Sequence, residues 1–206
     1  LIYLPPTMSP SETSQLPDLL EHPAEAFSYY RNQGVAKVVC EEKHMGSRAV
    51  VIVCRDEDSA RQRLGVIGDG PGICYTRTGR RFFDDKTLDS EFIARIQAAI
   101  SGAGLWDEFK TDWFCLDCEL MPWSAKAQEL LRQQYAAVGA ASDVSLTAAV
   151  TALEQAAHRV GDVGPLLDRY RAREQAARKY TDAYRRYCWP VNSIADLKLA
   201  PFHLLA

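Results

Sequence analysis

The sequence predicts an α+β fold in which antiparallel sheets carry flanking helices and accept an inserted all-helical module. Three observations carry this reading. Short runs rich in Val, Ile, Cys and aromatic residues recur at 38–40, 49–54, 73–76 and 113–121, where such side chains suit a half-buried pleat. Stretches with helical spacing fall among them at 21–33 and 86–103. From Trp123 to Tyr187 prolines nearly vanish and Ala, Gln, Glu, Arg and Leu dominate, before strand character returns at Leu197–Leu205.

Residues 1–20 are rich in Pro, Ser and Thr and read as an extended arm, with Ser9 or Ser11 as a cap for a short turn. In 21–33, Phe27 and Tyr30 share a helix face and Gly34 is the stop. Strands on both sides of Lys43 then run to Cys54, and the charged stretch Arg55–Arg63 reads as a solvated turn or short helix. Over 86–103, Leu88, Phe92, Ile93, Ile96 and Ile100 fall on one side of a helix. Trp113–Met121 is a strand closed by Pro122, and the module that follows reads as helices at about 124–138, 145–159 and 165–187. The domain reading is a core over 1–122, a helical insertion over 123–187 and a returning core strand over 188–206.

The chemistry centres on Glu41-Glu42-Lys43-His44-Met45-Gly46-Ser47-Arg48-Ala49. This places one lysine between two strand-like flanks, near a turn that Gly46 permits. Desolvation beside a sheet and a neighbouring cation such as Arg48 both favour the neutral, nucleophilic amine. On a strand, Glu41 shares the face of Lys43 by period two and Glu42 points away. Further along, Thr76-Arg77-Thr78-Gly79-Arg80-Arg81-Phe82-Phe83 sets guanidinium forks beside a glycine whose backbone admits an anion. Phe82 and Phe83 are either core or a stacking surface for a base. Asp117 and Glu119 share one face of an apolar strand, a costly arrangement unless they are paired or solvated by a site. In the last strand, Phe202 is either core or a stacking ring, and His203 reads as an outward-pointing histidine.

Glu41, Lys43, Gly46 and Arg48 match the first motif of the covalent nucleotidyltransferases (the DNA and RNA ligases and mRNA capping enzymes), with Met45 where an Asp is usual. Arg77 with Gly79 resembles the second motif. Asp117-Cys118-Glu119-Leu120 resembles the third, with Cys118 in place of Gly, and Phe202-His203-Leu204 resembles the next, with His203 in place of Asp. The fuller stretches 41–49, 76–83, 117–127 and 200–206 are similar to the ligase (adenylyltransferase) domain of bacterial polynucleotide kinase-phosphatases that repair RNA. That resemblance implies a nucleotidyltransferase (ATP-grasp-like ligase) core and a covalent lysyl-AMP formed on Lys43 from ATP with Mg2+ or Mn2+. It implies adenine contacts from Glu41 and Phe202, and ribose and phosphate contacts from Arg48, Arg77 and Glu119 beside Gly46. Arg80 and Arg81 are further candidates for phosphate or RNA contact, and no metal ligand is assigned. The implied partners are RNA 5′-phosphate and 3′-hydroxyl ends, kinase and phosphatase domains of the same polypeptide, and an RNA 3′-end methyltransferase. The downstream Glu-Gly-x-x-x-Lys and Lys-x-Lys motifs of the family do not occur, so the chain is expected to be a fragment with impaired activity on its own.

Two other readings remain open. One is a GTP-dependent capping guanylyltransferase with the same lysine chemistry. The other is a degenerate nucleotide-binding domain that serves as an interaction module, whose helical arginines (Arg169, Arg171, Arg173, Arg178, Arg185, Arg186) with Lys179 touch RNA, a protein or only water. A formal charge of −3 over 206 residues gives no global argument for nucleic acid. No uninterrupted apolar run approaches the roughly 20 residues of a membrane span. Leu1–Pro6 shows no signal peptide, and the cysteines read as reduced in a cytoplasmic protein. Cys115-x-x-Cys118 lacks a second Cys/His pair for zinc, and strand alternation sends the two thiols to opposite faces.

Overall fold

The computed structural model describes residues 4–5 and 12–206, so the proposed caps Ser9 and Ser11 lie outside the described residues. Two compact units divide the chain, Leu1–Lys43 with Leu205–Ala206 and His44–Leu204. In the first, helix α1 (Pro23–Asn32) begins with proline, whose fixed φ suits a first turn. The His22 side chain accepts the Ala24 N–H at 3.2 Å. Gly34, at φ +74°, turns the chain out of the helix. Residues 35–45 form neither helix nor strand and are largely exposed. The expected strand at Val38–Cys40 is therefore absent: β-branched residues favour a strand only where a neighbouring strand offers ladder bonds and cover.

The second unit is built on a four-stranded antiparallel sheet, with strands β1 (Ser47–Cys54), β2 (Gly72–Thr76), β3 (Trp113–Met121) and β4 (Lys198–Leu204) in the order β2-β1-β3-β4. Between β1 and β2 lies α2 (Glu57–Leu64), capped by Asp56, whose carboxylate accepts the Ser59 N–H at 2.7 Å. Helix α3 (Lys86–Gly102) packs Phe92, Ile93, Ile96 and Ile100 against the sheet residues Ala49, Val51, Val53, Cys74, Phe114, Cys118 and Leu120. Gln97 fixes the register of α3 by donating to the Cys54 carbonyl at 2.7 Å. The short α4 (Leu105–Glu108) adds Trp106, stacked on Phe114 at 5.1 Å. An apolar groove of about 630 Å³ runs along this face between α3 and β4.

The helical segment leaves the sheet at Trp123 and returns beside it, the Trp123 N–H donating to the Tyr187 carbonyl at 2.8 Å. It holds two long rods where three helices were expected. Helix α5 (Gln128–Leu130), a π-helical stretch (Leu131–Ala136) and α6 (Ala137–Ala157) run on without a break, and α7 (Gly164–Arg185) packs back against them. Gly139 sits in mid-helix because a Cβ there would lie 2.9 Å from Thr181 Oγ1; its smallness is used for helix-to-helix approach, not for a turn. Tyr135, Tyr180 and Tyr184 cluster beside it, with Tyr135 and Tyr180 stacked at 5.9 Å. The continuous rod Gln128–Ala157 is long and apolar enough to cross a membrane by length and composition alone, a length no single apolar run in the sequence suggests. Here it pairs with α7, and Thr147 Oγ1 donates to Glu174 at 2.8 Å. Gly139→Leu should wedge the rods apart at a cost of about 1–3 kcal/mol. The thermal midpoint should fall while far-ultraviolet dichroism at 20 °C keeps its helical signal.

Candidate functional site

Antiparallel register gives the sheet two unlike faces. Ala49, Val51 and Val53 point into the core under α3, so Arg48, Val50 and Ile52 point the other way, as do Asp117 and Glu119 of β3. Cys115 pairs with Ile52 and Cys118 with Ala49, so these thiols lie on opposite faces, as alternation requires. Burial raises both thiols above the ordinary range, Cys118 to about 12. All six cysteines are free.

Arg48 and Asp117 form the centre of the polar face. Arg48 Nε donates to Asp117 Oδ1 at 2.8 Å and Nη2 donates to Oδ2, a two-pronged pair spanning β1 and β3. Asp117 has no exposed side-chain surface and Arg48 only 12%. The bond to Asp117 raises the guanidinium's affinity for its proton, and burial works against this. Sequence reasoning placed Asp117 on this face but sent Arg48 to a ligand. The period-two acids in β3 were the available signal that an arginine of the neighbouring strand is held there.

Glu119 stands opposite Arg48 in the register and accepts the Gly46 N–H at 2.9 Å. The role of Gly46 differs from the turn expected of it. A Cβ at this position would lie 2.5 Å from the Leu120 carbonyl oxygen and 3.0 Å from Met121 Cγ. Glycine thus lets the backbone entering β1 close on the end of β3, and that approach fixes where Glu119 can reach.

Arg77 follows Thr76, the partner of Ala49, and so leaves β2 at the level of Arg48. Its turn is closed by Thr76 N–H to Arg80 carbonyl at 2.8 Å, with Gly79 at φ +81°. Arg77 and Arg80 are exposed, and neither has an acidic partner among the described residues. Arg81 instead pairs with Asp89 at 3.5 Å and Asp69 at 3.8 Å. Burial raises the Asp89 carboxyl above its usual range, and Arg81 opposes that shift. Phe82 is buried core, with Phe83 packed on it at 5.1 Å. Across the sheet, Phe202 and His203 adjoin Asp117 through β4, their rings 5.3 Å apart.

Glu41 and Lys43 are exposed and belong to the irregular chain before β1, so the shared strand face expected of them does not exist. Arg48 and Glu119 thus stand opposite each other across β1 and β3, with the Gly46 N–H on Glu119, Arg77 just past the end of β2 and Phe202 at the bulge of β4. Among the described residues no group of three or more His, Cys, Asp or Glu has the arrangement of a metal cage.

Two substitutions test this geometry. Arg48→Ala leaves Asp117 buried without its cation and should cost about 3–5 kcal/mol in urea unfolding. Gly46→Ala forces the β1 entry off β3 and should cost about 1–3 kcal/mol, with the midpoint shifted and the denaturant slope unchanged.

A family model described as the PNKP adenylyltransferase domain, ligase domain, matches residues 1–206. No curated protein sequence matches the chain. Among solved structures, a chain described as "Structure of Pnkp1/Rnl/Hen1 complex" superposes with a TM-score of 0.63 at 18% identity. The match covers 97% of this chain and 55% of that one, and at such identity it shows the shared fold. Matched over its whole length, the chain belongs to the PNKP adenylyltransferase (ligase) domain family.

Proposed function

We propose that this domain is the ATP-dependent RNA ligase of an RNA-repair enzyme and works through a lysyl-AMP intermediate. The observation that carries the reading is Arg48 opposite Glu119 on one sheet face, with the Gly46 N–H on Glu119, in a chain matched throughout by an adenylyltransferase family model. Lys43 precedes Gly46 by three residues, a span of at most about 10 Å of extended chain. In the first step the Lys43 amine attacks the α-phosphorus of ATP; an N–P bond forms, the bridging P–O bond breaks, and pyrophosphate leaves with the electron pair. An RNA 5′-phosphate oxygen then takes the nucleotidyl group from Lys43. A 3′-hydroxyl displaces AMP, and the strand is sealed.

Under this reading Arg77 and Arg48 offset charge on ribose and phosphate, and Glu119, steadied by the Gly46 N–H, accepts from the ribose. Phe202 lies against the adenine and Glu41 accepts from its amino group. With no protein cage among the described residues, a magnesium or manganese ion would be held chiefly by the triphosphate itself. The neighbour's description as a Pnkp1/Rnl/Hen1 complex supports work within an assembly; under this reading the domain shares its polypeptide with kinase and phosphatase domains and works beside an RNA 3′-end methyltransferase. On the same reading the cysteines are reduced and the setting is cytoplasmic.

The test is incubation of the full-length protein with α-labelled ATP or GTP and magnesium or manganese, followed by denaturing electrophoresis. Label should appear from ATP, survive denaturation, map to Lys43 and be absent from Lys43→Ala. Label from GTP instead would make the domain a guanylyltransferase. Intact ATP binding with no label from either nucleotide would remove the covalent mechanism.

A further inference from the structure

β4 departs from plain pairing by one residue. Lys198 to Pro201 stand opposite Met121 to Cys118 in turn; Phe202 is then passed over, and His203 stands opposite Asp117. Uninterrupted pairing would set His203 against Leu116, on the face that α3 covers. The bulge moves the imidazole to the polar face and gives the place opposite Leu116 to Leu204, which lines the apolar groove with it. His203 Nδ1 lies 4.0 Å from Asp117 Oδ2, the same oxygen that accepts from Arg48 Nη2. Three adjacent strands therefore hold a guanidinium, a carboxylate and an imidazole in line. The carboxylate is fully buried and the imidazole side chain is 43% exposed.

We propose that His203 is a positioning residue for Arg48, acting through Asp117, and that it makes the affinity of this face for a nucleotide phosphate depend on protonation. The inference rests on the nucleotide-binding reading above. A neutral imidazole leaves both Asp117 oxygens to Arg48. An imidazole that has taken a proton from solvent draws on Oδ2 and loosens the second prong of the Arg48 fork, turning that N–H toward a bound anion. Among the described residues, the charged groups of the sheet on this face around His203 are Asp117 and Glu119 of β3 and Arg48 of β1, with Arg77 past the end of β2, while Lys198 of β4 lies at the far end of the strand, opposite Met121.

The test follows the Arg48 Nε resonance by 15N NMR from pH 5 to 8, the range in which an imidazole changes charge. In the wild type it should move along the same titration curve as the His203 ring, and in His203→Asn it should stay still. An Arg48 resonance that ignores pH in the wild type, or still titrates in His203→Asn, overturns the proposal. A second arm measures ATP affinity at pH 8 and pH 5.5, with the ratio of wild type to His203→Asn cancelling the titration of ATP itself. That ratio should be near one at pH 8 and rise about two- to fivefold at pH 5.5; a ratio equal at both values overturns the proposal. A wild type that binds no ATP at either pH would instead remove the nucleotide reading, and the resonance arm would still decide the role of His203.

Discussion

A carboxylate with no solvent contact can stay charged in a sheet only if a cation shares its burial, and Asp117 depends on Arg48 for this. Much of the polar face follows from that need. Val50 and Cys115, next to the pair, are buried and apolar, so the local dielectric is low and the two charges hold each other strongly. The pair also joins β1 to β3 by side chains where the backbone ladder already joins them. An arginine anchored in this way presents its remaining surface in one orientation, which is the kind of preorganisation that recognition of phosphate rewards.

The two faces of the sheet divide the work. Under α3, apolar side chains interdigitate and supply most of the stability; on the opposite face, a few polar groups are held by backbone as much as by side chains. Glu119 shows the economy of the second arrangement. It accepts the Gly46 N–H, which is brought within reach because Gly46 can lie against Leu120. The helical hairpin leaves and rejoins the sheet at one place, the bond between Trp123 and Tyr187, so it adds mass without interrupting the ladder.

Periodicity made much of the fold legible. Trp113–Met121, the helix over 86–102 and the closing strand follow from alternation and helical spacing, because their buried sides are continuous. The strand expected at Val38–Cys40 failed for the opposite reason, since a propensity without a pairing partner has nothing to stabilise it. The interruption expected between about 138 and 145 is absent: the rod runs on, and Gly139 serves close packing against Thr181. Residue types and order singled out Arg48, Glu119 and Phe202 as candidates, and the register sets the first two opposite each other. The pairing of Arg48 with Asp117 needed the register of two strands 69 residues apart, which no local pattern carries.

The bulge at Phe202 lets the last strand carry one residue more than its pairing uses. Replacing that ring with another side chain would alter a surface. Removing the residue would close the bulge and leave His203 opposite Asp117 and Leu204 opposite Leu116, whereas keeping it in plain pairing would set the imidazole against Leu116. Lineages descended from such a sequence can therefore vary or lose this residue and keep the same side chains toward Asp117 and Leu116. An alignment gap at this one position would mark a strand without the bulge and the same residues facing β3.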